Sequence, residues 1–412
     1  MYDIANRLHF LAFALSVLES NSMAGGYRIF IECLRHWLNQ GHTAELITSR
    51  QGQVMVHRYL KSPNLQVRVM GPAGPSHNPG FRSLWYSGSL YVLRALNGIY
   101  KATRGPGLAS GTVVYSTTPF WPDVLPALAL RRRNPHALWL TAFSMFAPPV
   151  LGGWLSGVKA QTKLIEKRAL ALKTNEILAY PIIRRWSDVI YVNNDLDLER
   201  IRSDGVSRDR TLVIGGGVDV ELYDSVPSVG ATEYDAVFVG RFHPQKGVLE
   251  LVDIWRGVCQ TLPQARLIMV GNGVLEDAVA QKIQRMGMEK NILLAGFKDG
   301  EEKIRIFRRS RIVLHPAVYD SGGMAAAEAM ACGLPGVSFD LPALRVYYPK
   351  GMLKAQNQDG FVKNVIDLLT DSGFYDKVSD EAESWARTWD WRIVSQRLLK
   401  KCQAVIGCTR TA

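Results

Sequence analysis

Asp320-Ser321-Gly322-Gly323-Met324-Ala325-Ala326-Ala327-Glu328-Ala329-Met330-Ala331-Cys332-Gly333-Leu334-Pro335 is the stretch on which the reading of this chain turns. It follows a short apolar run, Ile312–His315, that reads as a strand, and Met324–Cys332 reads as a helix. Gly322 and Gly323 let the backbone pass close to a neighbour where that helix begins. The helix carries one charge, Glu328, among alanine, methionine and cysteine, so it is expected to be buried on nearly every face. A carboxylate there is costly unless hydrogen-bonded. Ligand hydroxyls are one source of partners, as ribose hydroxyls are for the carboxylate of dinucleotide sites. A structural arginine on Glu328, with Asp320 or Ser321 as a simple N-cap, is the plainer alternative. Gly333 and Pro335 end the helix.

Outward from this stretch, apolar runs alternate with amphipathic ones, the pattern of parallel sheets with helical crossovers. The second half reads as strands Ala236–Val239, Arg266–Val270, Asn291–Ala295, Ile312–His315 and Gly336–Phe339, with helices between them. In open sheets of this kind ligands bind at the carboxyl ends of the strands. Val237-Phe-Val-Gly240 runs into Arg241 and Lys246, two cations on a tight loop before a helix. They suit a diphosphate, helped by the helix N-terminus, or they are ordinary surface charges. Val270-Gly271-Asn-Gly273 means only that backbone passes close to something, a ligand or a neighbouring loop.

The first half follows the same logic, with strands Leu8–Phe13, Ala44–Thr48, Leu65–Met70, Thr112–Ser116, Ala137–Thr141, Val189–Val192 and Thr211–Ile214. Helices Gly26–Gln40 and Arg82–Thr103 lie among them. Gly217–Tyr234 is poorly periodic and reads as a linker. At 412 residues the chain is too long for one ordinary core. We expect three parts: 1–217, 218–390, and a last helix within 391–412. With 47% apolar and 21% charged residues it is globular rather than disordered. Its net charge of +12 points to phosphorylated ligands, nucleic acid or an anionic membrane face. Five cysteines, none in a CxxC pair, argue against a disulfide framework or a thiolate metal site and fit a reducing cytosol. The apolar run after Arg7 lacks a small-residue cleavage site and reads as a buried strand rather than a leader. No run reaches the roughly 18 apolar residues of a spanning helix.

These motifs, in this order, resemble the retaining GT-B glycosyltransferases of family four (glycosyl transferases group 1). The resemblance rests on Gly240-Arg241 with Lys246-Gly247, on the acid-x7-Glu segment Asp320 to Glu328, and on Ala329-Met330-Ala331-Cys332-Gly333-Leu334-Pro335. It is weaker, but visible, in Ser22–Gly41 and Gly215–Asp219. It implies two Rossmann-like doubly wound domains facing a cleft, with the last helix crossing back to the first. It implies transfer of a hexose-type sugar from a UDP- or GDP-linked donor with retained anomeric configuration. Arg241 and Lys246 would hold the diphosphate and stabilise the leaving group. Glu328 would bind ribose hydroxyls. Asp320 would contact the donor sugar, beside Ser321, Gly322, Gly323 and Met324. Gly25 and Gly26 would approach the phosphates from the first lobe, while Gly240 and Gly271 line the site. Phe297 and Lys298 would lie near the base. Neither metal nor cofactor is implied, since the cations are side chains. Two departures stand out: the first acid is Asp320 where Glu is usual, and Ala142-Phe143-Ser144 stands where the family often has a histidine.

Asp195-Leu-Asp197 spells the metal motif of the other glycosyltransferase fold, but Asn194 before it makes helix capping the better reading. On the acceptor side, Phe146, Trp154, Leu155, Lys159 and Lys163, with Trp85 and Tyr86, suit a membrane interface or pack a core. The expected partners are a nucleotide sugar, a glycan or lipid-linked acceptor and an anionic membrane contact at the cytoplasmic face, without nucleic acid. A nucleotide-sugar epimerase and a non-catalytic binding subunit are the alternatives.

Overall fold

His9–Ala14 (β1) is apolar and almost wholly buried, which suits a strand covered on both faces. It lies in the middle of the first sheet of the computed structural model, which describes residues 7–18, 25–73, 83–150, 167–227, 230–320 and 322–411. After β1 come α1 (Gly25–Asn39), β2 (Thr43–Thr48), α2 (Arg50–Tyr59), β3 (Leu65–Val69), α3 (Ser83–Arg104) and β4 (Thr112–Ser116). Then follow α4 (Trp121–Arg133), β5 (Leu138–Phe143), α5 (Lys167–Trp186), β6 (Val189–Val192), α6 (Asp195–Ser203) and β7 (Thr211–Val213). The seven strands pair in parallel in the order β3-β2-β1-β4-β5-β6-β7. The order reverses between β1 and β4, the switch point at which doubly wound sheets bind ligands.

A buried carboxylate closes that point. Asp123 of α4 accepts from the Leu15 and Ser16 amides at 2.6 and 3.1 Å. Its other oxygen accepts from the Ser16 and Thr118 hydroxyls at 2.7 and 2.6 Å. The loop leaving β1 is thereby tied to the loop leaving β4. Burial pushes the Asp123 carboxyl up to about 6, against the pull of these hydrogen bonds.

The second sheet is built from β8 (Tyr234–Val239), β9 (Leu267–Val270), β10 (Ile292–Gly296), β11 (Ser310–His315), β12 (Gly336–Phe339) and β13 (Met352–Ala355). Its parallel order is β10-β9-β8-β11-β12-β13. Its helices are α7 (Val220–Ser225), α8 (Val248–Thr261), α9 (Glu276–Arg285), α10 (Gly300–Arg308), α11 (Met324–Met330), α12 (Pro342–Tyr347), α13 (Gln358–Thr370) and α14 (Ser372–Arg387). The chain divides into two compact units at Gly215/Gly216 and Asp390/Trp391, and the last helix, α15 (Trp391–Thr411), belongs to the first. There it packs on α1, where the buried Trp37 stacks on Phe10 and donates its indole N–H to the Ser395 carbonyl at 3.0 Å.

Gly217–Tyr234 is not a free linker. Val218 bridges to Asp390, and Val218, Tyr223 and Val226 are buried in the second core. Asp219 caps α7 by accepting from the Leu222 amide, and Tyr223 stacks on Phe307. A six-residue helix is too short to display a period, which is why the segment reads as irregular. The strand β13 and the helix α12 escape the sequence pattern for the same reason, whereas the 16-residue α14 is long enough to be read and is missed. Trp389, just before the last helix, packs on Tyr347 and Tyr348 of the second unit.

Asp123→Ala would leave two amides and two hydroxyls without their acceptor. It is expected to cost roughly 3 kcal/mol or more, read as a lowered urea midpoint for the first unit's unfolding. Asp123→Asn, which keeps one acceptor oxygen, should cost less.

Candidate functional site

The second sheet reverses its order between β8 and β11, and Gly240, Arg241, Lys246 and Asp320 lie at the carboxyl ends of these two strands. The chain leaves β8 at Gly240, and the loop Arg241–Gly247 closes against the segment leaving β11. Gly247 is left-handed, with φ +62°, and a Cβ there would lie 2.0 Å from the Pro316 carbonyl oxygen, so only glycine fits. The Val318 amide donates to Gln245 O at 3.0 Å. These backbone contacts set Lys246 beside Asp320, with Nζ 2.5 Å from Oδ2.

Asp320 is held from three sides. His315 Nε2 lies 3.0 Å from the oxygen that Lys246 engages, and the Gly322 amide donates to Oδ1 at 3.3 Å. Burial alone would raise this carboxyl; the Lys246 ammonium and the His315 hydrogen bond reverse that and hold it well below the usual carboxylate range. Burial also lowers the His315 pKa, against the pull of Asp320, so the ring is neutral at pH 7. An ionised carboxylate only accepts, which makes His315 Nε2 the donor. His315 was visible in the sequence only as the end of a strand; its position five residues before Asp320 was the available signal.

Glu328 sits on α11, whose residues Ala326–Met330 are all buried as the composition predicts. Its partner is not an arginine. Lys303 of α10 reaches Glu328 Oε2 at 2.8 Å and Asp299 Oδ1 at 3.0 Å. The N-cap of α11 is Gly323, not Asp320. Gly322 and Gly323 make room for protein: a Cβ on Gly322 would meet Tyr347 Cζ at 2.9 Å, and one on Gly323 would meet His315 Nε2 at 3.0 Å. The Tyr348 hydroxyl donates to the Gly323 carbonyl and accepts from the Ala327 amide, bridging the first turn of α11. Met324 packs where a Cβ on Gly216 would collide with it.

The remaining predicted residues are less closely joined. Arg241 is exposed on the β8 loop. Gly271, with φ +140°, is required by the neighbouring loop, since a Cβ would lie 1.9 Å from the Gly240 carbonyl oxygen. A Cβ on Gly240 would lie 3.0 Å from Phe238 Cζ. Phe297 is 40% exposed beyond β10, Val274 is exposed beyond the neighbouring β9, and Lys298 reaches Glu302 at 3.5 Å. Ser321 lies outside the described residues. Gly25 and Gly26 open α1 in the first unit, where a Cβ on Gly26 would make only ordinary contact with Ser144.

Beyond β5 in the first unit, Phe143 and Phe146 are buried and pack with Tyr180, so they are core and not a membrane face. A small aromatic cavity lies among these residues and Phe120. Its wall includes Glu176, which accepts from the Ala147 amide and pairs with Lys173, both at 2.6 Å. Trp154, Leu155, Lys159 and Lys163 lie outside the described residues, as do the side chains of Trp85 and Tyr86. The Asp195-Leu-Asp197 segment opens α6, and Asn194 caps it by accepting from the Asp197 amide at 2.8 Å.

Residues 221–385 match the family model described as glycosyl transferases group 1. The chain is similar to the phosphatidyl-myo-inositol mannosyltransferase of Mycobacterium leprae, 24% identical over 364 residues, which cover 84% of this chain and 90% of that protein. Among solved structures it resembles sucrose-phosphate synthase from Thermosynechococcus elongatus, with a TM-score of 0.72 and 17% identity over 98% of this chain and all of that one. It also resembles Anabaena HepE in complex with UDP and glucose, with a TM-score of 0.67 and 16% identity over 97% and 100% of the two chains. These likenesses give the GT-B architecture of two Rossmann-like units.

Lys246→Ala is expected to destabilise the second unit by about 3–5 kcal/mol, because Asp320 then lacks its main counter-charge. Lys246→Met with Asp320→Leu should recover most of that loss in urea titrations. The stability owed to the depressed Asp320 is complete above the ordinary aspartate pKa of about 3.9 and fades as pH falls below it. The double variant should therefore show the shallower acid loss.

Proposed function

We infer that this chain, whose second unit belongs to the glycosyl transferases group 1, moves a hexose-type sugar from a nucleoside diphosphate sugar to a glycan or lipid-linked acceptor, with retained anomeric configuration. The observation that carries this reading is the meeting of Lys246, Asp320 and His315 where the second sheet reverses its order. An ammonium has three donors; Asp320 engages one, and the half-buried Lys246 keeps a fixed position while offering the others to a phosphate oxygen. Arg241, on the same loop, adds a planar cation suited to phosphate. Such preorganised charge acts on the negative charge that develops on the leaving diphosphate as the glycosidic bond breaks.

The other roles follow the layout of the strands. Phe297 and Val274, both exposed and apolar beyond neighbouring strands, suit the base. Glu328, anchored through one oxygen by Lys303, suits ribose hydroxyls. Asp320, ionised and fixed, suits a sugar hydroxyl, supported by the backbone of Gly322, Gly323 and Met324. Gly25 and Gly26 of the first unit are assigned to the phosphates by resemblance. A lipid-linked acceptor is supported by the relative named as a phosphatidyl-myo-inositol mannosyltransferase.

The test is equilibrium binding of a panel of UDP- and GDP-sugars to wild type, Arg241→Ala and Glu328→Gln, the last chosen to keep a hydrogen bond to Lys303. One donor should bind, and each variant should weaken it by about tenfold or more, as for loss of a charge-assisted hydrogen bond. Folded wild type that binds no nucleotide sugar would overturn the donor site. A product of inverted configuration, read by NMR of its anomeric proton, would overturn retention.

A further inference from the structure

Between Leu46 and Ile165 the chain has thirteen of its 49 Lys and Arg but one of its 37 Asp and Glu. The rest of the sequence carries 36 of each sign, so the whole net charge of +12 resides in these 120 residues. The one acid is Asp123, buried at the carboxyl ends of β1 and β4. Within the same stretch α3 has no acidic residue, and it exposes a continuous apolar stripe. Val92, Leu93, Leu96 and Tyr100 are between 43% and 58% exposed and recur at helical spacing along one face.

This face is presented by a firmly seated helix. Its opposite side is buried through Leu90, Ala95 and Ala102, and Gly98 fits beneath Pro126, which a Cβ would meet at 2.5 Å. Arg94 is turned inward and donates to the Leu15 and Val17 carbonyls, so it is no part of the surface. The last turn is closed by Arg133 of α4, which donates to Thr103 O at 2.6 Å. Beside the stripe stand Lys101 and Arg104, the latter over the Tyr100 ring at 4.4 Å and donating to its hydroxyl at 2.7 Å. Beyond α4 in the same layer, α5 repeats the exposed apolar face. α4 packs on both α3 and α5, and α5 exposes Ile177 and Leu178 by 63% and 56%. Crossover helices of a parallel sheet run the same way, so their last turns share one end. There Arg132 and Arg185 lie over Trp186 at 4.8 and 5.6 Å. The acids at this end are already engaged: Asp188 pairs with Arg131, and Asp204 takes the Tyr180 hydroxyl.

We propose that the exposed face of α3, continued by α5, docks on an anionic phospholipid surface. Aliphatic side chains rimmed by cations match the two layers of such a surface, acyl chains behind negative headgroups. A second copy of the chain would bring the same unbalanced positive charge against itself, which disfavours self-association through this face. A nucleic acid backbone would satisfy the cations and leave the aliphatic stripe exposed to water. None of the described helices is long and apolar enough to cross a membrane. The proposal does not depend on the donor site.

The experiment is co-sedimentation of the full chain, without donor or acceptor, with phosphatidylcholine vesicles and with mixed phosphatidylcholine–phosphatidylglycerol vesicles. Binding is expected to the mixed vesicles alone and to fall with added salt. Leu93→Asp with Leu96→Asp, and separately Lys101→Glu with Arg104→Glu, should each reduce it by about tenfold or more. Their thermal midpoints should stay near wild type, since Leu93, Leu96 and Arg104 are exposed and Lys101 is only half-buried. Absence of binding to the mixed vesicles overturns the proposal, as does binding that survives both pairs of substitutions. A dimer in solution that the Leu93→Asp, Leu96→Asp variant dissociates also overturns it, by assigning the face to a second copy.

Discussion

A carboxylate taken out of water must be given partners, and in the second unit that requirement falls on Asp320. It lies at the exit of β11, 74 residues along the chain from the ammonium of Lys246 that meets it. Once the pair is buried, neither loop is free to move alone, because parting the charges leaves one of them uncompensated. The backbone of the β8 loop is fitted to the β11 exit through Gly247 and Pro316, and through Gln245 and Val318. The pair therefore forms only when both loops are in place, and it fixes the start of α11. Such a pair is poor evidence of stability compared with apolar packing. Its value lies in position: it defines where a cation, a carboxylate and a helix start stand relative to one another.

Behind the pair stands an aromatic support. Tyr347 and Tyr348 fill the space that side chains at Gly322 and Gly323 would need, and Trp389 packs on both rings. The Tyr347 hydroxyl accepts from the Gly216 amide at 2.5 Å, so the first residue of the unit is held to the same group. The two glycines thus serve the protein's own packing before any ligand. Gly271 is similar, since its backbone approaches Gly240. A glycine in a binding loop signals close approach, but the neighbour can be protein as easily as phosphate.

This marks what the sequence could and could not reveal. Alternation of apolar runs with amphipathic ones identified two doubly wound sheets, and the uncharged composition around Glu328 identified a buried helix. That Glu328 needs a partner was legible; that the partner is Lys303 was not, because the two residues meet only in the folded second unit. His315 was hidden for the same reason: a histidine at a strand end is ordinary until a carboxylate folds back onto it. Short elements such as α7 and β13 carry too few residues to display a period. The histidine that the resemblance leads one to expect beyond β5 has no counterpart there, where Ala142 and Phe143 are buried.

The two units use charge in different ways. In the second, the cations near the strand ends are largely matched: Lys246 by Asp320, and Lys303 by Glu328 and Asp299. Matched charge has little long-range field, so an anionic ligand at those strand ends is held by directed hydrogen bonds at fixed distances. Specificity then comes from geometry, and a shift of an ångström is felt. The stretch from Leu46 to Ile165 keeps a large excess of positive charge even though Arg68 and Arg131 are paired with Glu45 and Asp188. Unmatched charge acts over a Debye length and tolerates imprecise geometry, which suits attraction to an extended anionic surface better than recognition of one small molecule. On the two proposals, one chain keeps its selective chemistry where charges cancel and its attraction for a surface where they do not.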